Sequence, residues 1–345
     1  MSERFLFVSC AEHRLILTLA MDRKTGELRT VAEMVAPGLE GGGHSMPLAL
    51  SPDRRVLYAA VRSAPFPCPS YAINHQYGHL TLLGVATLPG EMCYIVTDHT
   101  GRHLLSATYP GSKIASSPID ENGIVRSPPT QVIDTPPKAH SILPDPSNRF
   151  VYAASLGGDC IVRTAFDAEA GVMKVLGLVK AKAGAGPRHL RFSPNGRFLY
   201  LINELDGTIN AYRFDADSGA LTELQSVSLL PPGATGRVAS ADIHLTPDGR
   251  FLYGSERVTN TLAAFRVDAA NGTLSPIGSV PSEDSPRGFA IDPTGAFLLC
   301  AGQKSNRVAV YAIGQQTGAL TRLHAHEVGE NPNWIEFLDP PEAAD

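Results

Sequence analysis

SPNGRFLYLIN, residues 193–203, decides the fold, because the same template returns as TPDGRFLYGSE at 246–256 and SPDRRVLYAAV at 51–61. Weaker copies are TDHTGRHLLSA (97–107), DPSNRFVYAAS (145–155), DPTGAFLLCAG (292–302) and RFLFVSC (4–10). The residue at the Tyr200 position is then Phe7, Tyr58, Leu105, Tyr152, Tyr200, Tyr253 and Leu299, in steps of 46 to 53 residues. A second marker, a turn of the form D-x-x-x-G-x-L, keeps the same rhythm. Its glycines are Gly26, Gly78, Gly123, Gly171, Gly219, Gly272 and Gly318, 45 to 53 residues apart. Two markers that drift together through seven units define a sevenfold repeat.

Each unit reads as four short strands. In one copy these are PRHLRFSP (187–194), RFLYLIN (197–203), TINAYRFD (208–215) and LTELQSVSL (221–229), punctuated by PNG and DSG turns. Four-stranded units of this length at fixed period are propeller blades. The chain starts at the second strand of a blade (RFLFVSC) and ends with a lone first strand (PNWIEFLD, 332–339). That strand is expected to complete the N-terminal blade and close the ring without free edges. The expected fold is therefore all-β: a single seven-bladed β-propeller domain over 1–345, with four antiparallel strands per blade. One exception is expected at Pro67-Cys68-Pro69, where prolines cannot donate to a ladder and the third strand of a blade should be short or distorted.

Composition narrows the function classes. Hydrophobic residues are 43% and charged residues 18% of 345, with 32 Gly and 27 Pro, enough for a sizeable core broken by many turns. A net charge of −5 supplies no global field for nucleic acid or anionic lipid. No apolar run nears the ~18 residues of a spanning helix, and MSERFLFVSC lacks the apolar core of a signal peptide. Five scattered cysteines (Cys10, Cys68, Cys93, Cys160, Cys300) with no CxxC fit reduced thiols rather than a disulfide framework or zinc site. A cytoplasmic location, without cofactor, metal, nucleic-acid or membrane partner, is the expectation.

In a propeller the first strands surround the central channel, so equivalent repeat positions form rings. At the start of strand one the ring is Met46, Cys93, His140, Arg188, Ala241, Arg287 and Asn333. Just after strand two it is Ala11, Arg62, Tyr109, Leu156, Glu204, Arg257 and Gln303, with Lys304 adjacent. Packing alone does not demand such polar residues there. Four arginines beside one acid predict a locally cationic mouth on an acidic protein, suited to a small carboxylate or phosphate.

Blander readings stand beside these. His140 also suits a hydrogen-bonded structural histidine, Arg188 and Arg287 suit pairing with loop carbonyls or Glu204, and Arg62 and Arg257 suit ordinary rim charges. Asp242 and His244 fit a structural role in their blade better than a chemical one. His324 and His326 read as a solvated strand rather than a metal site. Gly41 to Gly43 and GAGPR lack the following helix that a phosphate loop needs. No GxSxG elbow and no metal-ligand cluster is present.

The segments GAGPRHLRFSPNGRFLYLINEL, ADIHLTPDGRFLYGSER, PRGFAIDPTG and AGQKSNRVAVY resemble the seven-bladed bacterial 6-phosphogluconolactonase family, whose fold and motifs are shared by the fungal 3-carboxy-cis,cis-muconate lactonizing enzymes. The resemblance runs nearly end to end and is dense from about 138 to 311. It implies a catalytic set matching the His, two Arg and Glu of the muconate enzymes: His140 in AHSI, Arg188 in GPRH, Glu204 in NEL and Arg287 in PRGF. Arg62, Tyr109, Arg257, Gln303, Lys304 and Asn333 complete the expected substrate-binding ring. Departures exist. Where family lactonases have a lysine after a second strand, this chain has SLGGDC with Gly157 and Gly158. A family histidine is replaced around Cys93-Tyr94, Asn333 stands where an apolar residue is common, and the Pro-rich 64–70 is unlike the family. The lost cation keeps non-phosphorylated sugar-acid and carboxylated lactones in play.

The leading expectation is hydrolysis of a sugar-acid lactone to its open-chain acid, in carbohydrate metabolism. Arginines would bind the anion, and His140 or Glu204 would move the proton. A muconate-type cycloisomerase needs the same constellation. A non-catalytic propeller scaffold is the third reading, opposed by the concentrated polar ring and the missing GH…WD signature.

Overall fold

The structure, a computed structural model, describes residues 3–38 and 43–338; Gly41 and Gly42 of the glycine run lie outside them. Seven four-stranded antiparallel sheets form the blades. Their inner strands, in blade order, are Pro332–Phe337, Leu48–Leu50, Met92–Thr97, Ala139–Pro144, Pro187–Phe192, Ser240–Leu245 and Pro286–Ile291. Blade 1 is closed as expected: Pro332–Phe337 pairs antiparallel with Glu3–Cys10, matching Leu6 with Phe337 and Val8 with Ile335. A buried ion pair, Arg4 Nη1 to Asp292 Oδ2 at 2.7 Å, fastens the same seam to blade 7.

The alternation of each strand splits the core into seven apolar clusters, one at each seam between neighbouring blades. Between blades 5 and 6, for example, Tyr200, Ile202 and Ile209 meet Leu252, Ala263 and Phe265. A repeated contact locks every seam on its outer side. In six of the seven seams the turn glycine of a blade lies on the residue that opens the second strand of the preceding blade; Gly78 of blade 2 lies instead on Thr18 and Phe5. Gly219 (φ 66°) lies on Phe150 and Gly272 (φ 79°) on Phe198. Left-handed backbone and the absence of a Cβ are both required there. A Cβ on Gly272 would stand 2.3 Å from Phe198 Cδ1. In blades 4, 5 and 6 the tyrosine two residues along donates its hydroxyl to the same glycine's carbonyl. These bonds are Tyr152 to Gly219 (2.7 Å), Tyr200 to Gly272 (3.0 Å) and Tyr253 to Gly318 (2.8 Å).

Blade 2 differs from the expectation. The proline-bearing third strand, Pro67–Ile73, keeps seven residues and pairs along its length with Leu80–Thr87. The shortening falls on the second strand, Val56–Ala59, which meets it only from Val56 to Tyr58. Pro67 and Pro69 sit past that pairing, where a missing N–H costs no ladder bond on that side. All five cysteines are buried and unbridged. His324 and His326 reach across to blade 1, bonding the Gly26 carbonyl and Thr30 Oγ1, each at 3.0 Å.

The seam contact is testable by equilibrium unfolding in urea. Gly272→Ala, strained and overpacked at once, is expected to cost about 2–4 kcal/mol. Tyr200→Phe, which deletes only the hydroxyl bond, is expected to cost about 1 kcal/mol. Equal stability of Gly272→Ala and the parent chain would remove the seam from its assigned role.

Candidate active site

A β-bulge sits at the head of six of the seven inner strands. The pairing skips one residue at Asn333, Cys93, His140, Arg188 and Arg287, and within Ala241-Asp242 of blade 6. These are the first sequence-predicted ring. A bulge bends the strand and re-aims the extra residue, so a position that would otherwise continue the pleat turns into the channel. The second ring follows on the second strands at the same mouth, directly for Tyr109, Glu204 and Arg257 and three residues past the short strand of blade 2 for Arg62. Together the rings enclose a cavity of about 200 Å³ lined by His44, Arg62, Cys93, Tyr109, His140, Glu204, Arg257 and Arg287.

Glu204 is the hub of the charges. Its Oε2 accepts from Arg188 Nε at 2.9 Å, and its Oε1 pairs with Arg257 Nη2 at 3.0 Å. Burial alone would raise its pKa; Arg188, Arg257 and Arg287 outweigh that and hold it below 4.5. Arg188 is fully buried beneath the cavity, with Nη1 also bonded to the Ala241 carbonyl and 3.1 Å from His189 Nε2. Arg257 Nε bonds the Ala239 carbonyl at 2.9 Å. Arg62 is committed to Glu91 and to Ser45 Oγ. Among the described residues Arg287 has neither a carboxylate nor a hydrogen-bond partner. Burial and the guanidiniums of Arg188, Arg257 and Arg62 press its pKa down, the signature of a site with surplus positive charge. Four guanidiniums against the carboxylates of Glu204 and Glu91 leave two positive charges uncompensated.

His140 lines this cavity beside Tyr109, whose ring meets it edge-on at 5.6 Å. Its imidazole makes no hydrogen bond with the described residues, and Nδ1 is buried without a partner. Burial first, then the charges of Arg188, His189, Arg287 and Arg257, hold its pKa well below 6.5, so the ring is neutral.

A second layer lies deeper in the channel, one residue past the bulges. His189, pushed down to about 3 by burial and Arg188, donates Nδ1–H to Asp242 Oδ1 at 2.8 Å and thereby presents Nε2 as an acceptor to Arg188. Asp242 also takes His244 Nε2 (3.2 Å) and the backbone N–H groups of Ile243 (2.9 Å) and Phe289 (3.2 Å). It thus ties blades 5, 6 and 7 together around the axis. Tyr94 stands edge-on to both His189 and Trp334, and its hydroxyl takes a bond from Arg191 at 2.5 Å.

Seven of the ten expected site residues therefore converge: His140, Glu204, Arg287, Arg62, Tyr109 and Arg257 line the cavity, and Arg188 supports it from below. Three do not line it. Asn333 is consumed by the Met46 N–H (2.9 Å) and the Asn331 carbonyl (2.7 Å). Gln303 bonds Asn331 Oδ1 at 2.8 Å. Lys304 is exposed on the turn that follows. Sequence reasoning missed His44, Glu91, Tyr94, His189 and Arg191. His189 and Tyr94 were findable, because they stand one step after the ring in the same repeat alignment; His44 and Glu91 carry no repeat signal.

The chain belongs to the family described as "Lactonase, 7-bladed beta-propeller", which it matches over residues 5–337. It is 43% identical over 298 residues to a 6-phosphogluconolactonase of Pectobacterium carotovorum, covering 86% of this chain and 89% of that protein. A 6-phosphogluconolactonase of Yersinia pestis is 37% identical over 333 residues, covering 96% and 97%. Among solved structures, the periplasmic gluconolactonase of Pseudomonas aeruginosa superposes with a TM-score of 0.88 at 27% identity, covering 99% and 100%. No helix of the described residues is long and apolar enough to cross a membrane.

The charge hub sets a pH signature. Because Glu204 titrates below its ordinary value, its contribution to stability is complete above about pH 4.5 and fades as pH falls through the lowered folded value. Glu204→Gln should lose about 2 kcal/mol at neutral pH, with the gap to the parent chain closing in acid. Unfolding curves at pH 7 and in stepwise more acidic buffers check both parts; a gap independent of pH would contradict them.

Proposed function

We propose that this lactonase-family chain hydrolyses 6-phosphoglucono-lactone to the open-chain acid. One observation carries the catalytic reading: a neutral, hydrogen-bond-free imidazole and a partnerless guanidinium face a single cavity, the former ready to take a proton and the latter to hold negative charge. The names and coverage of the curated relatives support the substrate.

In this reading His140 is the base. It removes a proton from water as the water oxygen bonds the lactone carbonyl carbon. Arg287 stabilises the oxyanion, with Arg188 held below it by Glu204 and the His189–Asp242 pair. The tetrahedral adduct then collapses. The bond from carbon to ring oxygen breaks, and the leaving oxygen takes the proton back from the imidazolium. Glu204 is assigned the orienting role, since a carboxylate shared by two arginines and held ionised is a poor proton acceptor near neutrality.

The test is consumption of freshly prepared 6-phosphoglucono-δ-lactone, with spontaneous hydrolysis subtracted. The parent chain should accelerate it, His140→Gln should lose about 100- to 10,000-fold in kcat, and Arg287→Ala about 100- to 1,000-fold. Since the His140 pKa is depressed, the fall of kcat/KM on the acid side should lie below pH 6.5. No acceleration by the parent chain would overturn the function. Full activity of His140→Gln, or an acid limb centred above pH 6.5, would overturn the assignment of the base.

A further inference from the structure

Lys138 stands two residues before the His140 bulge with φ 63°, in the left-handed region. At the same step the sister blades carry Gly186, Ser285 and Asn331, also left-handed. Those are residues without a Cβ or with short polar side chains; a lysine there costs roughly 1–2 kcal/mol. Its stem passes over Gly157, where a Cβ would stand 3.1 Å from Lys138 Cδ. The glycine thus clears the path for the side chain. Nζ ends 5.5 Å from the centroid of the Tyr109 ring, whose edge contact runs on to His140. Among the described residues Lys138 has no carboxylate partner, unlike Lys113 with Asp134 and Lys182 with Asp206. A strained backbone and a cleared path thus deliver one unpaired ammonium to the aromatic wall of the cavity mouth.

From this we infer that Lys138 is the specificity residue for a phosphorylated substrate, receiving the phosphate at the mouth while the carbonyl lies at the floor near His140 and Arg287. The inference rests on the lactonase reading and adds to it. A phosphorylated sugar lactone carries its phosphate on the exocyclic carbon, away from the carbonyl, so it needs a second cation apart from the one that serves the oxyanion. An ammonium on a flexible stem suits that as a mobile point charge. Lys138 touches no reacting atom in this arrangement and acts on binding alone.

The experiment compares the parent chain with Lys138→Asn, which suits left-handed backbone, and with Lys138→Arg, which keeps the charge. Calorimetric titration with 6-phosphogluconate and with gluconate reads the contact independently of turnover. Lys138→Asn should weaken 6-phosphogluconate binding about tenfold or more, the scale of one charged hydrogen bond, with gluconate shifted less than about twofold. Lys138→Arg should recover most of the loss. In the lactone assay Lys138→Asn should raise KM with kcat nearly unchanged, and its thermal midpoint should hold or rise as strain is relieved. Unchanged 6-phosphogluconate binding, or an equal loss for both acids, would overturn the inference. A parent chain that discriminates between the two acids through Lys138 without accelerating the lactone would overturn only the proposed reaction.

Discussion

The ring depends on the contact between a turn glycine and the second strand of the blade before it. Seven sheets meeting only through apolar side chains could slide along their seams, because apolar packing has no direction. The left-handed glycine, seated on Phe150 in one seam and Phe198 in another, admits one depth and one register. The tyrosine hydroxyls that bond the glycine carbonyls add direction in blades 4 to 6. At the last seam, where no chain connection joins blade 7 to the second strand of blade 1, the turn glycine Gly26 lies on Phe297 and the buried Arg4–Asp292 pair supplies a charged bond. With the seams fixed, the bulges at the inner strand heads all point at one axis.

That common aim turns seven near-equivalent positions into a site of unequal ones. Nothing in the ring geometry distinguishes His140 from Cys93 or Ala241; the difference is what the sequence places on each bulge. Blades 4, 5 and 7 contribute His140, Arg188 and Arg287, and the strand-two ends of blades 5 and 6 add Glu204 and Arg257. The acid is thereby inserted between two arginines contributed by adjacent blades. Beneath them Asp242 binds groups from three blades, which makes the deeper layer a brace for the upper one.

Much of this was legible because the two sequence markers of a repeat belong to one blade. Gly171, Gly219 and Gly272 each follow Tyr152, Tyr200 and Tyr253 by 19 residues, so an insertion between blades moves both markers together. The steps of 48 and 53 residues that follow Tyr152 and Tyr200 recur in the glycines for that reason. The rings were legible too, since a bulge at the strand head leaves their alignment intact. What failed was depth and direction. Asn333 is on the ring, yet its amide is spent on the Met46 N–H and the Asn331 carbonyl, and Gln303 turns to Asn331 instead of the cavity. SLGGDC itself holds no cation, and the room over Gly157 is filled by Lys138 from a neighbouring turn. A left-handed lysine carries no motif, so only its backbone angle exposes it.

One electrostatic field sorts the acid–base groups. The guanidiniums of Arg188, Arg257 and Arg287 lie near both Glu204 and His140 and act on them with opposite chemical results. They favour the carboxylate anion and disfavour the imidazolium, so Glu204 is ionised and His140 neutral. Burial works against the charge of both and prevails only at His140, whose charged form the arginines also oppose. The arrangement therefore needs no dedicated partner to set the protonation state of His140, the base of the proposed reaction. In that proposal the state also depends on the substrate. A bound anion would offset part of the surplus positive charge and let the imidazolium form more easily, at the moment when a proton must be held between water and the leaving oxygen.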